Sequence, residues 1–245
     1  MLKKQYLCSM DSPSLHIIAH AHNGFTEKFG IPRQSQSASD IETRIIFTPQ
    51  YRVREALRGI EGFSHLWLIW GFSENASSQS IATSLGWSPT VRPPRLGGNK
   101  RMGVFATRSP FRPNPLGLSS VRLLRVEETE REGLMLVVAG ADLMDGTPIY
   151  DVKPYLAYSD AHPEARDGFA EATKDYRLAV VWEAGEDLSE ETHSALVEIL
   201  AQDPRPAYQH DSQRVYKMEF GGVRVHFRVA ESVVHVQGIE KITDF

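Results

Sequence analysis

Seven cations, Arg92, Arg95, Lys100, Arg101, Arg108, Arg112 and Arg122, crowd the segment VRPPRLGGNKRMGVFATRSPFRPNPLGLSSVRLL at residues 91–124. Five prolines and four glycines interrupt it. Proline fixes φ and lacks a backbone donor, and glycine admits positive φ, so the segment reads as loops rather than a helix. Loops that present guanidinium and backbone N–H groups suit an anion. From Asn75 to Val126 there are eight cations, Arg125 being the eighth, and no Asp or Glu. The whole chain carries −4, so the remainder carries −12. An acidic chain with one wholly basic segment points to a directed basic surface and a phosphate-rich partner. Pairing of the same arginines with the acidic remainder is the competing reading, and charge alone leaves both open.

Other chemistries lack their residue patterns. A dinucleotide site or a Rossmann-type methyltransferase needs a glycine-rich turn between a strand and a helix. The nearest candidate, LGGNKRMG, follows two prolines and leads into VFATRSPF, which cannot be a long helix. There is no Gly-Lys-Ser/Thr phosphate loop, His-Glu-x-x-His helix or Gly-x-Ser-x-Gly elbow. The nine histidines show no close pair on a helix face, and Cys8 is the one cysteine, so neither a metal nor an internal disulfide is expected. No apolar run approaches the roughly 20 residues that span a bilayer. MLKKQYLCSMDSPSLHII lacks the sustained apolar core of a signal peptide, which makes the cytoplasm the expected compartment and a membrane no expected partner.

The segments EKFGIPRQ, GIEGFSHLWLIW, GWSPTVRPPRLGGNKRMGVFATRSPFRPNPLGLS, LMDGTPIYDVKPYLAYSD and AQDPRPAY run in that order from Glu27 to Tyr208. In them the chain resembles the TsaA-like (TrmO) family. These are S-adenosylmethionine-dependent tRNA methyltransferases acting on the exocyclic amine of threonylcarbamoyladenosine beside the anticodon. The resemblance implies a mainly β chain, with an N-terminal β-barrel domain at 1–165 and a small α+β C-terminal domain at 166–245. It implies S-adenosyl-L-methionine as methyl donor and a tRNA anticodon loop as partner; a homodimer is also expected. It places the donor among Gln34, Ser35 and Gln36, then Arg108, Arg112 and Asn114, then Tyr150, Asp151, Val152 and Lys153. Arg112 leads for the donor's carboxylate, because a guanidinium fork binds carboxylates bidentately. Asp151 could accept from the ribose hydroxyls or the α-amine.

Arg92, Arg95, Lys100 and Arg101 are the candidates for RNA phosphates and the threonyl carboxylate. Methyl transfer needs the acceptor nitrogen in line with the S–CH3 bond, so positioning supplies most of the acceleration. That nitrogen is conjugated to the ring and to a carbonyl, and a base that takes its proton would help. No residue declares itself as the base; Asp151 and Tyr155 are the candidates. Phe111 or Tyr155 could stack on a splayed base. An RNA-binding module without catalysis, and an S-adenosylmethionine-binding small-molecule enzyme or regulator, stay open as other classes.

The elements that must position these groups are mostly short strands. Leu15 to Ala21, Glu42 to Phe47, Leu118 to Val126, Gly133 to Ala139 and Pro148 to Val152 read as strands, with Asp145-Gly146 as a turn. Thr48 reads as the cap of a helix with Pro49 at its first position and Gly59 past its end. Phe63 to Phe72 is almost continuously apolar and reads as a strand buried on both faces. His65, at its start, is either a structural group or one near the site. Short strands with a single confident helix argue for a barrel or strongly curved sheet. Ala161 to Lys174 reads as a polar linker and domain boundary, and residues 1 to about 165 on its N-terminal side are expected to fold alone. The appendage after it predicts strands at Leu178 to Trp182, Val223 to Val229 and Ser232 to Ile239, and a helix entered through Asp187-Leu188-Ser189-Glu190.

Overall fold

The computed structural model describes residues 14–32, 34–35, 40–72, 87–93, 100–185, 188–206, 209 and 211–242. Six strands form the larger sheet: β1 (Ala19–His22), β2 (Glu42–Phe47), β3 (His65–Gly71), β6 (Leu116–Thr129), β7 (Gly133–Ala139) and β8 (Pro148–Pro154). They pair in the order β1-β2-β7-β6-β3-β8, and Ala19 opposite Ile149 joins β8 back to β1. A two-stranded ribbon, β4 (Thr90–Val91) with β5 (Met102–Gly103), branches from the connection between β3 and β6. The chain is mainly β, as expected.

Strand periodicity fills the ring. Side chains alternate between faces, so Leu66, Leu68 and Trp70 of β3 point inward with Val121 of β6, Leu134, Leu136 and Val138 of β7, and Ile45 and Phe47 of β2. Here the expectation for β3 is corrected. Its apolar run is buried on one face, while His65, Trp67 and Ile69 are half-buried on the other. The expected helix after Thr48 is also absent. Three 3-10 turns stand in its place, Pro49–Tyr51, Arg54–Leu57 and Ile60–Gly62, and the Thr48 side chain caps none of them. The reason is the core's spacing. Tyr51, Leu57, Ile60 and Phe63 pack under the ring, a set no single helical face provides, and Val53 is left half exposed.

Every pairing in the ring is antiparallel. The connections β1–β2 (23–41), β3–β6 (72–115) and β7–β8 (140–147) therefore all leave from one end. At the other end lie the turns at 48–64, the tight β6–β7 hairpin and the exit from β8 through α1 (Ala157–Asp160).

The C-terminal sheet runs β10-β11-β12-β9, from β9 (Ala179–Trp182), β10 (Tyr216–Phe220), β11 (Val223–Ala230) and β12 (Val233–Lys241), with β12 and β9 parallel. Helix α2 (Glu190–Ala201) packs on it through Leu196, Ile199 and Leu200. Ser189 caps α2, its hydroxyl accepting from Thr192 N–H at 3.1 Å; Asp187 lies outside the described residues. Strand β10 carries no prediction in the sequence reading. Phe25 and Ile41 from the β1–β2 connection are buried in this same core beside Met218, Phe220 and Phe227. Gly24 fits there because its backbone meets that of Gly221, whose N–H donates to Gly24 O at 3.0 Å.

Candidate active site

The end of the ring where the three long connections meet is built around Trp70. Its indole lies across Gly117, where an added Cβ would stand 2.6 Å from Cδ2, closer than side chains pack. That placement lets Trp70 Nε1 donate to Ser119 Oγ at 2.9 Å. The Ser119 hydroxyl, fully buried, donates in turn to Asp142 Oδ1. Asp142 sits in the β7–β8 connection and receives backbone hydrogen bonds from its own N–H and from Ser35 of the β1–β2 connection. Burial pushes its carboxyl above the usual range, against the opposing pull of the Ser119 hydroxyl, those N–H groups and the Arg108 charge. Arg108, from the β3–β6 connection, donates to Gln34 Oε1 at 2.6 Å. One carboxylate thus ties all three connections together.

Other expected residues join this end. Tyr150 lies with its ring against Gly71, where a Cβ would meet the hydroxyl at 2.6 Å. Asn114 is fixed through Phe72 N–H to Pro115 O and Leu116 N–H to Asn114 O. Arg112 donates to Thr107 O at 3.1 Å and so braces its own loop. Gln36 and Arg95 lie outside the described residues.

The remaining expected residues step away down β8. Val152 packs against the ring's interior, and Asp151 pairs with Lys153 at 2.9 Å. Tyr155 stands with Trp67, ring centroids 5.4 Å apart, and with His65 at 6.2 Å. His65 and Trp70 are five residues apart on β3, roughly 16 Å at the rise of a strand. The structure does not bring Tyr155 beside Arg108 and Asp142. Around Tyr155, Asp160 accepts from Leu156 N–H and from Trp67 Nε1, bonds that hold its carboxyl below the usual range.

The basic segment divides. Arg122 and Arg125 pair with acids, Arg122 with Asp40 at 3.3 Å and Arg125 with Glu42 at 2.9 Å and with Glu127. Arg101 donates to Thr90 Oγ1 and Thr90 O, which staples β4 to β5. Arg92 and Lys100 are exposed beside that ribbon. A cavity of about 350 Å³ between Gly24, Asp40, Ile41 and Glu42 on one side and α2 on the other is lined by Glu191 and Glu198 as well as by Asp40 and Glu42, the partners of Arg122 and Arg125. Among the described residues no three His, Cys, Asp or Glu side chains gather as metal ligands, and no helix is long and apolar enough to cross a membrane.

Asp142 and Ser119 are the residues that sequence reading missed. The signal was present in part: Gly117 and Ser119 fall in the LGLS run already singled out, and Asp142 precedes the Asp145-Gly146 turn.

A ring of antiparallel strands with a polar cluster built from three loops at one end defines a mainly β protein with a loop-built site, distinct from a Rossmann-type enzyme. Family models match both parts of the chain, tRNA-methyltransferase O N-terminal domain at residues 20–161 and TrmO C-terminal domain at residues 177–242, and the chain belongs to the TrmO family. It is 47% identical over 180 residues to a protein of Eikenella corrodens named tRNA (adenine(37)-N6)-methyltransferase, covering 72% of this chain and 97% of that one. It is 38% identical over 224 residues to a putative S-adenosylmethionine-dependent methyltransferase RcsF of Pseudomonas aeruginosa, covering 87% of this chain and 91% of that one. The crystal structure of TrmO from Pseudomonas aeruginosa superposes with a TM-score of 0.73 at 31% identity, over 94% of this chain and 99% of that chain.

Proposed function

We propose that this protein transfers a methyl group from S-adenosyl-L-methionine to N6 of threonylcarbamoyladenosine at the position beside the tRNA anticodon. The observation that carries the reading is the cluster of Gln34, Ser35, Arg108, Ser119 and Asp142 within the part of the chain that the N-terminal family model matches. The residue types suit the donor. Arg108 and Arg112 offer guanidinium forks for its carboxylate, while Gln34 and the Tyr150 hydroxyl can accept from its amine and ribose hydroxyls. The bound donor supplies an electrophilic methyl on a sulfonium. What the chain supplies is alignment of the acceptor nitrogen and a place for its proton.

Asp142 is our candidate for that proton. Its raised carboxyl is a better base than an ordinary aspartate, and Ser119 fixes its direction. Asp151, paired with Lys153 at 2.9 Å, and Tyr155, facing His65 and Trp67 at the far end of the ring, are the other candidates. Arg92, Arg95, Lys100 and Arg101 remain the candidates for RNA phosphates, in a homodimer working in the cytoplasm, with 1–165 and 166–245 as the two domains. The deciding experiment is methyl incorporation from S-adenosyl-L-methionine into tRNA with and without the threonylcarbamoyl group. Incorporation that requires the group supports the reading. Equal incorporation into both removes the substrate assignment, and none into either removes the activity.

A further inference from the structure

Phe105 is 70% exposed, although the residue before it, Val104, is 1% exposed. Both belong to one 3-10 turn, Val104–Ala106. Three bonds fix this turn: Val104 N–H to Pro89 O at 2.9 Å, Thr107 N–H to Val104 O at 3.1 Å and Thr107 Oγ1 to Val104 O at 2.8 Å. Arg112 adds a fourth tie through Thr107 O. An exposed phenyl on a loose loop is ordinary; one held out from an anchored turn is a presented surface. Trp87 stands beside it, ring centroids 5.5 Å apart and planes at 40°. The aromatic pair sits at one end of the β4–β5 ribbon and exposed Arg92 and Lys100 at its other end, all within the run that contains no Asp or Glu. Apolar contact with a protein partner would not need that charge. A flat aromatic face on a ribbon that carries exposed cations at its other end fits a polyanion whose subunits also carry flat faces.

We propose that Phe105, supported by Trp87, is a stacking platform for an unpaired nucleobase of an RNA loop, with Arg92 and Lys100, at the other end of the ribbon, taking phosphates further along the RNA chain. Stacking of this kind tolerates any base, because every base has a π-face, so it grips the loop without reading its sequence. The proposal rests on the tRNA reading above and assigns to Phe105 a role outside the donor cluster.

The test uses the full chain, an anticodon stem-loop RNA as probe, and the variants Phe105→Leu and Phe105→Trp, with binding followed across a salt series. Loss of a stacked base weakens RNA binding by about tenfold or more, so Phe105→Leu should show that loss and Phe105→Trp should recover it. The slope of log affinity against log salt should not change, since no charge is removed. Thermal unfolding should also be unchanged, because Phe105 contributes little to the core. Binding by Phe105→Leu equal to the parent's, or equal weakness of both variants, overturns the platform. So does a changed sedimentation behaviour of Phe105→Leu without RNA, which would make the face a contact between copies. A parent that methylates tRNA while Phe105→Leu binds normally refutes the platform alone; a parent that neither binds nor methylates RNA refutes the tRNA reading with it.

Discussion

Replacing Asp142 by Asn removes the charge and the basicity but keeps one acceptor oxygen and nearly the same volume. The Ser119 hydroxyl can still donate to that oxygen, and Trp70 Nε1 can still donate to Ser119. What is lost is an acceptor for one of the N–H groups of Ser35 or Asp142, on the order of 1 kcal/mol. Against this stands relief of the burial that raises the carboxyl's pKa. The two offset, so stability at neutral pH should change by less than about 1 kcal/mol. The pH dependence has a definite sign. A folded carboxyl raised above its unfolded value favours the folded state below the unfolded pKa, and that advantage is lost as pH rises through the folded pKa. Asp142→Asn therefore gains on the parent as pH rises across that window. Activity should move far more. Loss of a general base lowers the rate roughly 10²- to 10⁴-fold, with donor affinity by calorimetry little altered and the acid limb of the parent's pH–rate profile gone. A rate within about tenfold of the parent's would refute the assignment. So would a loss accounted for entirely by weaker donor binding, which would make Asp142 an anchor for the Gln34–Ser35 loop.

Gly117→Ala should drive the new Cβ into the Trp70 indole and displace the Trp70–Ser119 bond, destabilising the chain by about 1–3 kcal/mol from overpacking, read as a fall in Tm; an unchanged Tm would show that Trp70 has room elsewhere. Arg108→Ala should weaken S-adenosyl-L-methionine binding in calorimetry without a matching loss of Tm, since its hydrogen bond to Gln34 is exposed; Arg112→Ala should cost more stability, because Arg112 braces Thr107 O. The reverse ranking would exchange their roles. A fragment ending at residue 165 should bind a hydrophobic dye or aggregate, because Phe25 and Ile41 lose the core they share with Leu196, Met218 and Phe227. A monodisperse fragment that binds the donor like the full chain would show that this shared core is dispensable.

Much of the ring was legible because strand signals are local. β2 and β7 match their expected ranges, since alternation and turn residues decide them over a few positions. The stretch after Thr48 was misread because cap, proline and terminal glycine all favour a helix locally, while the underside of the ring needs apolar contacts at Tyr51, Leu57, Ile60 and Phe63. Tertiary packing overrode propensity there. β10 went unpredicted although Tyr216, Met218 and Phe220 alternate, because the charged neighbours Lys217 and Glu219 make so short a run unremarkable until β11 pairs with it.

The site shows the same limit in sharper form. Arginines announce themselves by charge, and Arg108 duly lies in the cluster, yet the group that binds the three connections together is an aspartate just outside the segment LMDGTPIYDVKPYLAYSD. Asp142 matters because Ser119 on β6, Ser35 in the first connection and Arg108 in the second converge on it. Those four positions are separated by up to 107 residues in sequence. Only antiparallel pairing around the ring brings the three loops to one end, so strand order rather than any local pattern creates the cluster. The same geometry explains why β8 misled. Tyr150 to Tyr155 is continuous in sequence and reads as one functional stretch, but a strand carries successive residues away at about 3.3 Å each and turns alternate side chains to opposite faces. Tyr150 stays with the cluster, Val152 goes inward, and Tyr155 arrives beside His65 at the other end. A strand that begins beside the candidate cluster therefore brings its first residues to it and carries the later ones to the opposite end of the ring.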